Sequence, residues 1–274
     1  MRVSPIVFPD PEALGRKLAA EIAVEIEDAA RAGRPYALGC PGGRSAASTY
    51  RALADEVAAR RLDLGHVVIV MMDEYVEARP LASPGREYRA IDSGLPHSCL
   101  RFGREEIVGR MNAAAGPGRG IAPERLWGPD PGDPEAYDLR IAELGGIDLF
   151  LLASGASDGH IAFNPAGSPA DSRTRVVPLG ERTRTDNLAT FPTFGGLDDV
   201  PRHGVTVGID TIRTWSKRVV MVAHGSDKGK AAARLARAEG YEADWPATVF
   251  ADCAHPRLYL DQAAVAASAA LTSL

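Results

Sequence analysis

Three stretches of this chain are apolar almost without interruption: His66-Val-Val-Ile-Val-Met-Met72, Gly145-Gly-Ile-Asp-Leu-Phe-Leu-Leu-Ala153 and Arg218-Val-Val-Met-Val-Ala223. A strand with one wet face alternates apolar and polar side chains. A run that does not alternate fits a strand buried on both faces, the condition of a parallel strand covered by helices above and below. Two shorter apolar runs, Val3–Phe8 and Tyr36–Cys40, fit the same sheet. Pro11–Ala32 places Leu14, Leu18, Ile22, Val24 and Ile26 at helical spacing and ends near Gly33, and Ser45 is positioned to cap a second helix through about Arg60. Strands alternating with helices predict βαβ units and an α/β fold, a mostly parallel sheet with helices on both faces. One domain is expected over residues 1–274. The stretch 77–134, rich in Gly, Pro and Arg with one helix around Phe102–Met111, reads as an elaboration of that domain.

Charge narrows the partners. With 31 Lys+Arg against 36 Asp+Glu the chain is mildly acidic, which argues against a nucleic-acid groove or an anionic membrane surface as the main partner. No apolar run approaches the roughly 18 to 20 residues of a membrane span, and the N-terminal Met1-Arg-Val-Ser-Pro-Ile-Val-Phe8 lacks the build of a signal peptide. The three cysteines, Cys40, Cys99 and Cys253, are too few and too scattered for a disulfide framework or a zinc cage. A cytoplasmic protein without metal or cofactor is expected.

Open α/β sheets bind ligands beyond the carboxyl ends of their strands, so the polar residues that follow the apolar runs are the candidates. Gly39-Cys-Pro-Gly42-Gly43-Arg44-Ser45 joins a strand to a helix, and its glycines can turn backbone N–H groups toward an anion such as a phosphate. The same residues also fit a plain tight turn with a solvated Arg44. Asp73-Glu74 follows the His66–Met72 run; one of these carboxylates, partly desolvated, would be suited to general base work, while a helix cap is the simpler reading. Asp158-Gly159-His160 is the most informative segment. A carboxylate two residues before an imidazole can fix its tautomer and orientation, and the Gly-rich flanks set the pair at a strand end. Lys228 in Gly225-Ser-Asp-Lys228 begins a helix, where a cation is unfavourable unless an anion lies nearby. His66, His97, His203, His224 and His255 have no carboxylate or cysteine at metal-ligand spacing and are read as structural.

Together these segments resemble the glucosamine-6-phosphate deaminase/isomerase family, which is related to the 6-phosphogluconolactonases. The resemblance covers nearly the whole chain. It is carried by Met72-Asp-Glu-Tyr-Val76, Gly146-Ile-Asp-Leu-Phe150, Asp158-Gly-His-Ile-Ala-Phe-Asn164, Ser172-Arg-Thr-Arg175 and Val205-Thr-Val-Gly-Ile209. The 158–164 stretch is specific to the deaminase side; the lactonases carry Asp-Glu-Arg where this chain has Asp73-Glu74-Tyr75. The resemblance implies a Rossmann-like fold and conversion of an amino-sugar 6-phosphate to fructose 6-phosphate and ammonia. By position it implies Asp73 as the base that moves a proton between C2 and C1, His160 as the ring-opening residue and Asp158 as its orienting group. Gly42, Gly43, Arg44 and Ser45 with Lys228 match the phosphate site, and Glu74 and Arg184 are further candidates for substrate or lid contacts.

The chain also departs from the family pattern. Pro165 follows Asn164 where the family carries a Glu that partners the histidine. The family's Thr-Gly-Gly-Thr or Ser-Gly-Gly-Ser loop is replaced by Gly42-Gly43-Arg44-Ser45, and Ala189 stands where the deaminases place an Arg on the phosphate, for which Arg44 would compensate. Arg175 and Ser168 match part of an allosteric phosphate site whose Lys position is Val177 here. Extra chain between Tyr88 and Ile121 falls where the family has a lid, so 77–134 is expected to be a lid-like insertion. Three readings follow: an isomerase or deaminase acting on an anionic sugar, a lactonase-type hydrolase, and a non-catalytic sugar-phosphate binding protein. A small-molecule substrate is the expected partner, and a homo-oligomer is compatible with the family.

Overall fold

The apolar runs pair side by side. The computed structural model describes residues 2–80, 86–191 and 193–272. In chain order its elements are β1 (Pro5–Phe8), α1 (Pro11–Arg31), β2 (Tyr36–Cys40), α2 (Ala47–Arg60), β3 (Val67–Met71), β4 (Asp73–Pro80), β5 (Arg86–Ala90), α3 (Cys99–Phe102) and α4 (Arg110–Ala115). There follow β6 (Leu126–Trp127), α5 (Pro134–Glu143), β7 (Leu149–Ala153), β8 (Arg175–Pro178), α6 (Glu181–Thr190) and β9 (His203–Thr206). The last elements are α7 (Ile209–Trp215), β10 (Val219–Ala223), α8 (Gly229–Arg237), β11 (Pro256–Asp261) and α9 (Gln262–Thr272).

Seven strands form an all-parallel sheet in the order β1-β11-β10-β7-β2-β3-β6. Both of its faces are buried, which is why the strand sequences do not alternate in polarity. Leu38, Ile69, Leu149, Leu151 and Val220 pack on one side with Leu14, Leu18, Ile22 and Leu53 of α1 and α2. Ala37, Val68, Phe150, Leu152 and Met221 pack on the other with Ile212, Leu235 and Phe250. Each large side chain so buried contributes roughly 1.5–3 kcal/mol. Gly39 of β2 lies against Phe150 so closely that an added Cβ would sit 2.2 Å from the ring. Helix α1 starts where expected: Asp10 accepts from the Ala13 N–H at 2.6 Å and Pro11 opens the first turn.

The chain runs outward from β2 through β3 to β6, returns to β7, and leaves on the other side through β10 and β11. The strand order therefore reverses between β2 and β7. At such a switch point the loops leaving two neighbouring strands part in opposite directions and open a crevice.

A second sheet, antiparallel and ordered β5-β4-β9-β8, is absent from the sequence expectation. Only Met72 separates β3 from β4, so Asp73-Glu74-Tyr75, expected as rim residues or a helix cap, are strand residues paired to Thr206, Val205 and Gly204. The partner strand is remote in sequence, and no local pattern announces it. Ser45 also departs from expectation. The chain turns at Gly43 (φ 87°) and tightens into a 3-10 turn over Arg44–Ala46, so α2 begins after Ala46 and Ser45 caps nothing.

The expected 102–111 helix runs from α3 through a π-helical stretch, Gly103–Gly109, into α4. Ile107 and Met111 belong to the core beside α1 and α2, and β6 is the edge strand of the main sheet. Within the segment expected to be lid-like, residues 81–85 lie outside the described residues.

Candidate active site

Four loops leave the carboxyl ends of the adjacent strands β10, β7, β2 and β3 and enclose a cavity of about 800 Å³. Gly42, Gly43, Arg44 and Ser45 line it after β2; Ser154, Gly155 and His160 after β7; His224, Gly225, Asp227 and Lys228 after β10; and Met72, Asp73 and Tyr75 after β3. The 96–102 segment adds His97, Cys99 and Phe102 to the lining, and α6 adds Thr183, Asp186 and Asn187.

Asp73 is 6% exposed. Burial pushes its carboxyl up and the neighbouring Glu74 charge adds to this, while a hydrogen bond from the Cys99 thiol and the charge of His160 oppose them; the result lies at about 7. A carboxylate titrating there is poised to take a proton and return it near neutral pH.

The Asp158–His160 pair is built by backbone geometry. Gly159 (φ 68°) turns the chain so that one Asp158 oxygen accepts from both the His160 N–H at 3.2 Å and ring Nδ1 at 2.8 Å. No larger residue fits at Gly159, where an added Cβ would lie 2.3 Å from the Trp245 ring. Burial raises the Asp158 carboxyl, but hydrogen bonds and charge from His160 outweigh it and hold the group at about 2. An ionised carboxylate only accepts, so Nδ1 carries a proton, and Nε2 is the nitrogen left to exchange one with a substrate. The Gly155 N–H donates to the His160 carbonyl at 2.8 Å, Ala247 N–H to that of Gly159 at 2.9 Å, and Asn164 Nδ2 to Val207 at 2.7 Å, so the loop is fixed on all sides. Ala162 lines the cavity at φ 50°, a conformation costly for a residue with a Cβ and held by these contacts.

Lys228 donates to the Ser154 carbonyl at 2.9 Å, which ties the β10 loop to the β7 loop. Burial lowers its pKa, the carboxylates of Asp227, Asp186 and Asp158 oppose that, and Arg44 is close enough to add repulsion. Two cations therefore line the same cavity beside the Gly42–Gly43 turn, an arrangement suited to a bound anion.

Two candidates fall outside this site. Glu74 does not line the cavity; it is wholly buried and accepts from the N–H groups of Tyr75 (2.8 Å), Cys99 (3.0 Å) and Leu100 (2.9 Å) and the hydroxyl of Ser98 (2.7 Å). It anchors the start of α3 rather than meeting a substrate. Arg184 likewise does not line it: its guanidinium donates to the carbonyls of Leu197 and Val200, fixing α6 to the next turn. Sequence reasoning missed His97, Cys99, Asp186 and His224. For His224 a signal existed, since it is the first residue after the β10 run; for the others, the lining position depends on contacts between remote segments. Among the described residues no group of three His, Cys, Asp or Glu could hold a metal ion, and no helix is long and apolar enough to cross a membrane.

A buried carboxylate, an oriented imidazole and two cations line one cavity at the switch point of a parallel sheet, where an α/β protein is suited to bind a small molecule. Comparison with known proteins makes the class specific. Residues 9–259 match the family described as glucosamine-6-phosphate isomerases/6-phosphogluconolactonase. The chain is 38% identical over 231 residues to a glucosamine-6-phosphate deaminase of Rhodococcus opacus, covering 84% of this chain and 81% of that protein. It is 34% identical over 260 residues to one of Mycolicibacterium smegmatis, covering 94% and 90%. A solved structure of a monomeric glucosamine-6-phosphate deaminase superposes with a TM-score of 0.79 at 27% identity, covering 96% of this chain and 99% of that one. The 6-phosphogluconolactonase of Trypanosoma cruzi shares the fold at a TM-score of 0.65 and 17% identity, covering 97% of each chain. The chain belongs to the glucosamine-6-phosphate isomerase/6-phosphogluconolactonase family.

Proposed function

We propose that this protein is an aldose–ketose isomerase/deaminase that converts an amino-sugar phosphate, glucosamine 6-phosphate in the first instance, to the ketose phosphate and ammonia. The observation that carries the reading is that Asp73, titrating near neutrality, and the Asp158-oriented His160 line one cavity together with Arg44 and Lys228. In this reading the Gly42–Ser45 loop and Lys228 take the phosphate. His160 Nε2 accepts the proton of the anomeric hydroxyl and returns it to the ring oxygen, opening the ring to the aldehyde. Asp73 removes the C2 proton, made acidic by the C1 carbonyl, and delivers it to C1, while the C1 oxygen gains through solvent the proton that the C2 amine gives up. The C2 amine becomes an imine, which water converts to ketone and ammonia. Relatives named glucosamine-6-phosphate deaminase at 38% and 34% identity support the substrate assignment. The same reading places the enzyme in the cytoplasm.

Pro165, standing where the deaminase pattern carries a Glu, favours one alternative. It leaves Asp158 as the carboxylate hydrogen-bonded to His160 among the described residues, and an Asp–His pair that activates water suffices for lactone hydrolysis. A panel of hexose and aminohexose 6-phosphates, with ketose formation and ammonia release followed together and 6-phosphogluconolactone alongside, tests both. Equimolar ketose and ammonia from glucosamine 6-phosphate support the deaminase; lactone hydrolysis without either product selects the hydrolase.

A further inference from the structure

The Gly42–Ser45 turn runs into the buried Ala46 at the start of α2. Neither the Arg44–Ala46 turn nor α2 has a side-chain cap, and Gly43 sits at φ 87°. Two hydrogen bonds tie its backbone to other segments. The Tyr50 hydroxyl donates to the Pro41 carbonyl at 2.9 Å, fixing the start of the turn. At its other end His224 Nε2 lies 2.9 Å from the Ser45 carbonyl. A carbonyl only accepts, so the ring carries its proton on Nε2 and donates it. His224 is the first residue after β10; Gly225 follows at φ 90°, its N–H held by both oxygens of Asp261 at 3.0 and 3.1 Å. Three residues further on, Lys228 donates to the Ser154 carbonyl.

We propose that His224 is a positioning residue of the anion subsite, the latch that joins the Gly42–Ser45 turn to the Gly225–Lys228 turn and so sets the spacing between Arg44 and Lys228. The inference rests on reading that pair of turns as the anion site. The geometry gives His224 this part because the two turns leave strands separated by β7 and share no ladder. The His224–Ser45 bond is a direct tie between them, and both its residues line the cavity. Lys228 connects its own turn to β7 rather than to the Arg44 turn. Without the latch the Ser45 end of the turn loses its tie to the β10 loop, the spacing between Arg44 and Lys228 is held less tightly, and a bound dianion must restore it at the cost of affinity. The predicted consequence is selective: binding of the anionic end weakens, while the Asp73 and His160 side chains, held by other contacts, keep their places.

The test compares wild type with His224→Leu, which removes the donor, and His224→Gln, whose side-chain amide places an N–H close to the position of Nε2. Two quantities are read: the dissociation constant of inorganic phosphate by calorimetry, and KM against kcat for glucosamine 6-phosphate. Loss of one such hydrogen bond is expected to weaken phosphate binding and raise KM by about three- to tenfold. kcat should change far less than KM, and His224→Gln should recover most of the loss. Unchanged phosphate affinity in His224→Leu, or a His224→Gln no better than Leu, overturns the proposal. If His224→Leu does not fold, His224→Asn, too short to reach the Ser45 carbonyl, takes its place against Gln under the same criteria. The phosphate titration needs no turnover. A wild type that processes no sugar phosphate but loses phosphate affinity in His224→Leu would refute the deaminase reading and leave the latch standing.

Discussion

Replacing Asp73 by Asn should separate stability from catalysis in a way that depends on pH. The wild-type carboxyl rises from an ordinary 3.8 to about 7 in the folded protein, chiefly through burial. Raising a carboxylic acid's pKa means the charged form is the disfavoured one in the native state. The native protein holds this proton more tightly than the unfolded chain, so folding loses stability as pH climbs from 3.8 through about 7. At 1.36 kcal/mol per pH unit the full loss is about 4 kcal/mol, an order-of-magnitude figure for a group that is nearly wholly buried. Asn has the same shape and cannot ionise, so the variant escapes this loss. Urea unfolding of both proteins at pH 4 and pH 8 should show the stability difference moving toward the variant by about 3–4 kcal/mol between the two. Contributions from titrating groups that do not interact with Asp73 cancel in the comparison. Turnover should meanwhile fall to background at every pH, and wild-type kcat/KM should drop as pH falls through about 7, where the base becomes protonated. A stability difference that stays flat from pH 4 to pH 8 would show that Asp73 titrates as an ordinary carboxyl, and the argument from burial would fail. Wild-type kcat in the variant would remove Asp73 as the base.

Three other perturbations test separate parts of the site. Asp158→Asn replaces the group that holds the Nδ1 proton of His160, and kcat should fall by about 10²–10⁴-fold while phosphate binding does not weaken, since a negative charge acting on Lys228 is removed; steady-state kinetics with a phosphate titration checks both. Arg44→Ala should raise KM for phosphorylated sugars far more than for their unphosphorylated counterparts, and equal effects on the two would remove its role toward the anion. Glu74→Gln leaves one oxygen to serve donors that now share two, from Tyr75, Ser98, Cys99 and Leu100. It should destabilise the fold by about 2–3 kcal/mol, read as a lower urea midpoint, and an unaltered midpoint would mean the anchor at α3 carries no weight.

The main sheet was legible in the amino-acid order because burial on both faces leaves its mark on each strand separately. Val67–Met71, Leu149–Ala153 and Val219–Ala223 are apolar at consecutive positions whatever lies beside them, and a strand–helix rhythm then fixes parallel pairing. Asp158-Gly159-His160 was legible for a similar reason: its hydrogen bonds close within three residues. The antiparallel sheet was not, because β4 pairs with β9 across about 130 residues and neither strand carries a period of its own. That pairing puts Asp73 on the cavity wall and leaves Glu74, next in sequence and identical in charge, bonded to α3 outside the lining. In the same way His224, unremarkable as a letter, acquires meaning only because the turn after β2 comes within 2.9 Å of its ring. Local composition records whether a residue is buried and in what element; which remote group it meets is decided by chain closure, and the chemistry of Asp73, Glu74 and His224 depends on that meeting.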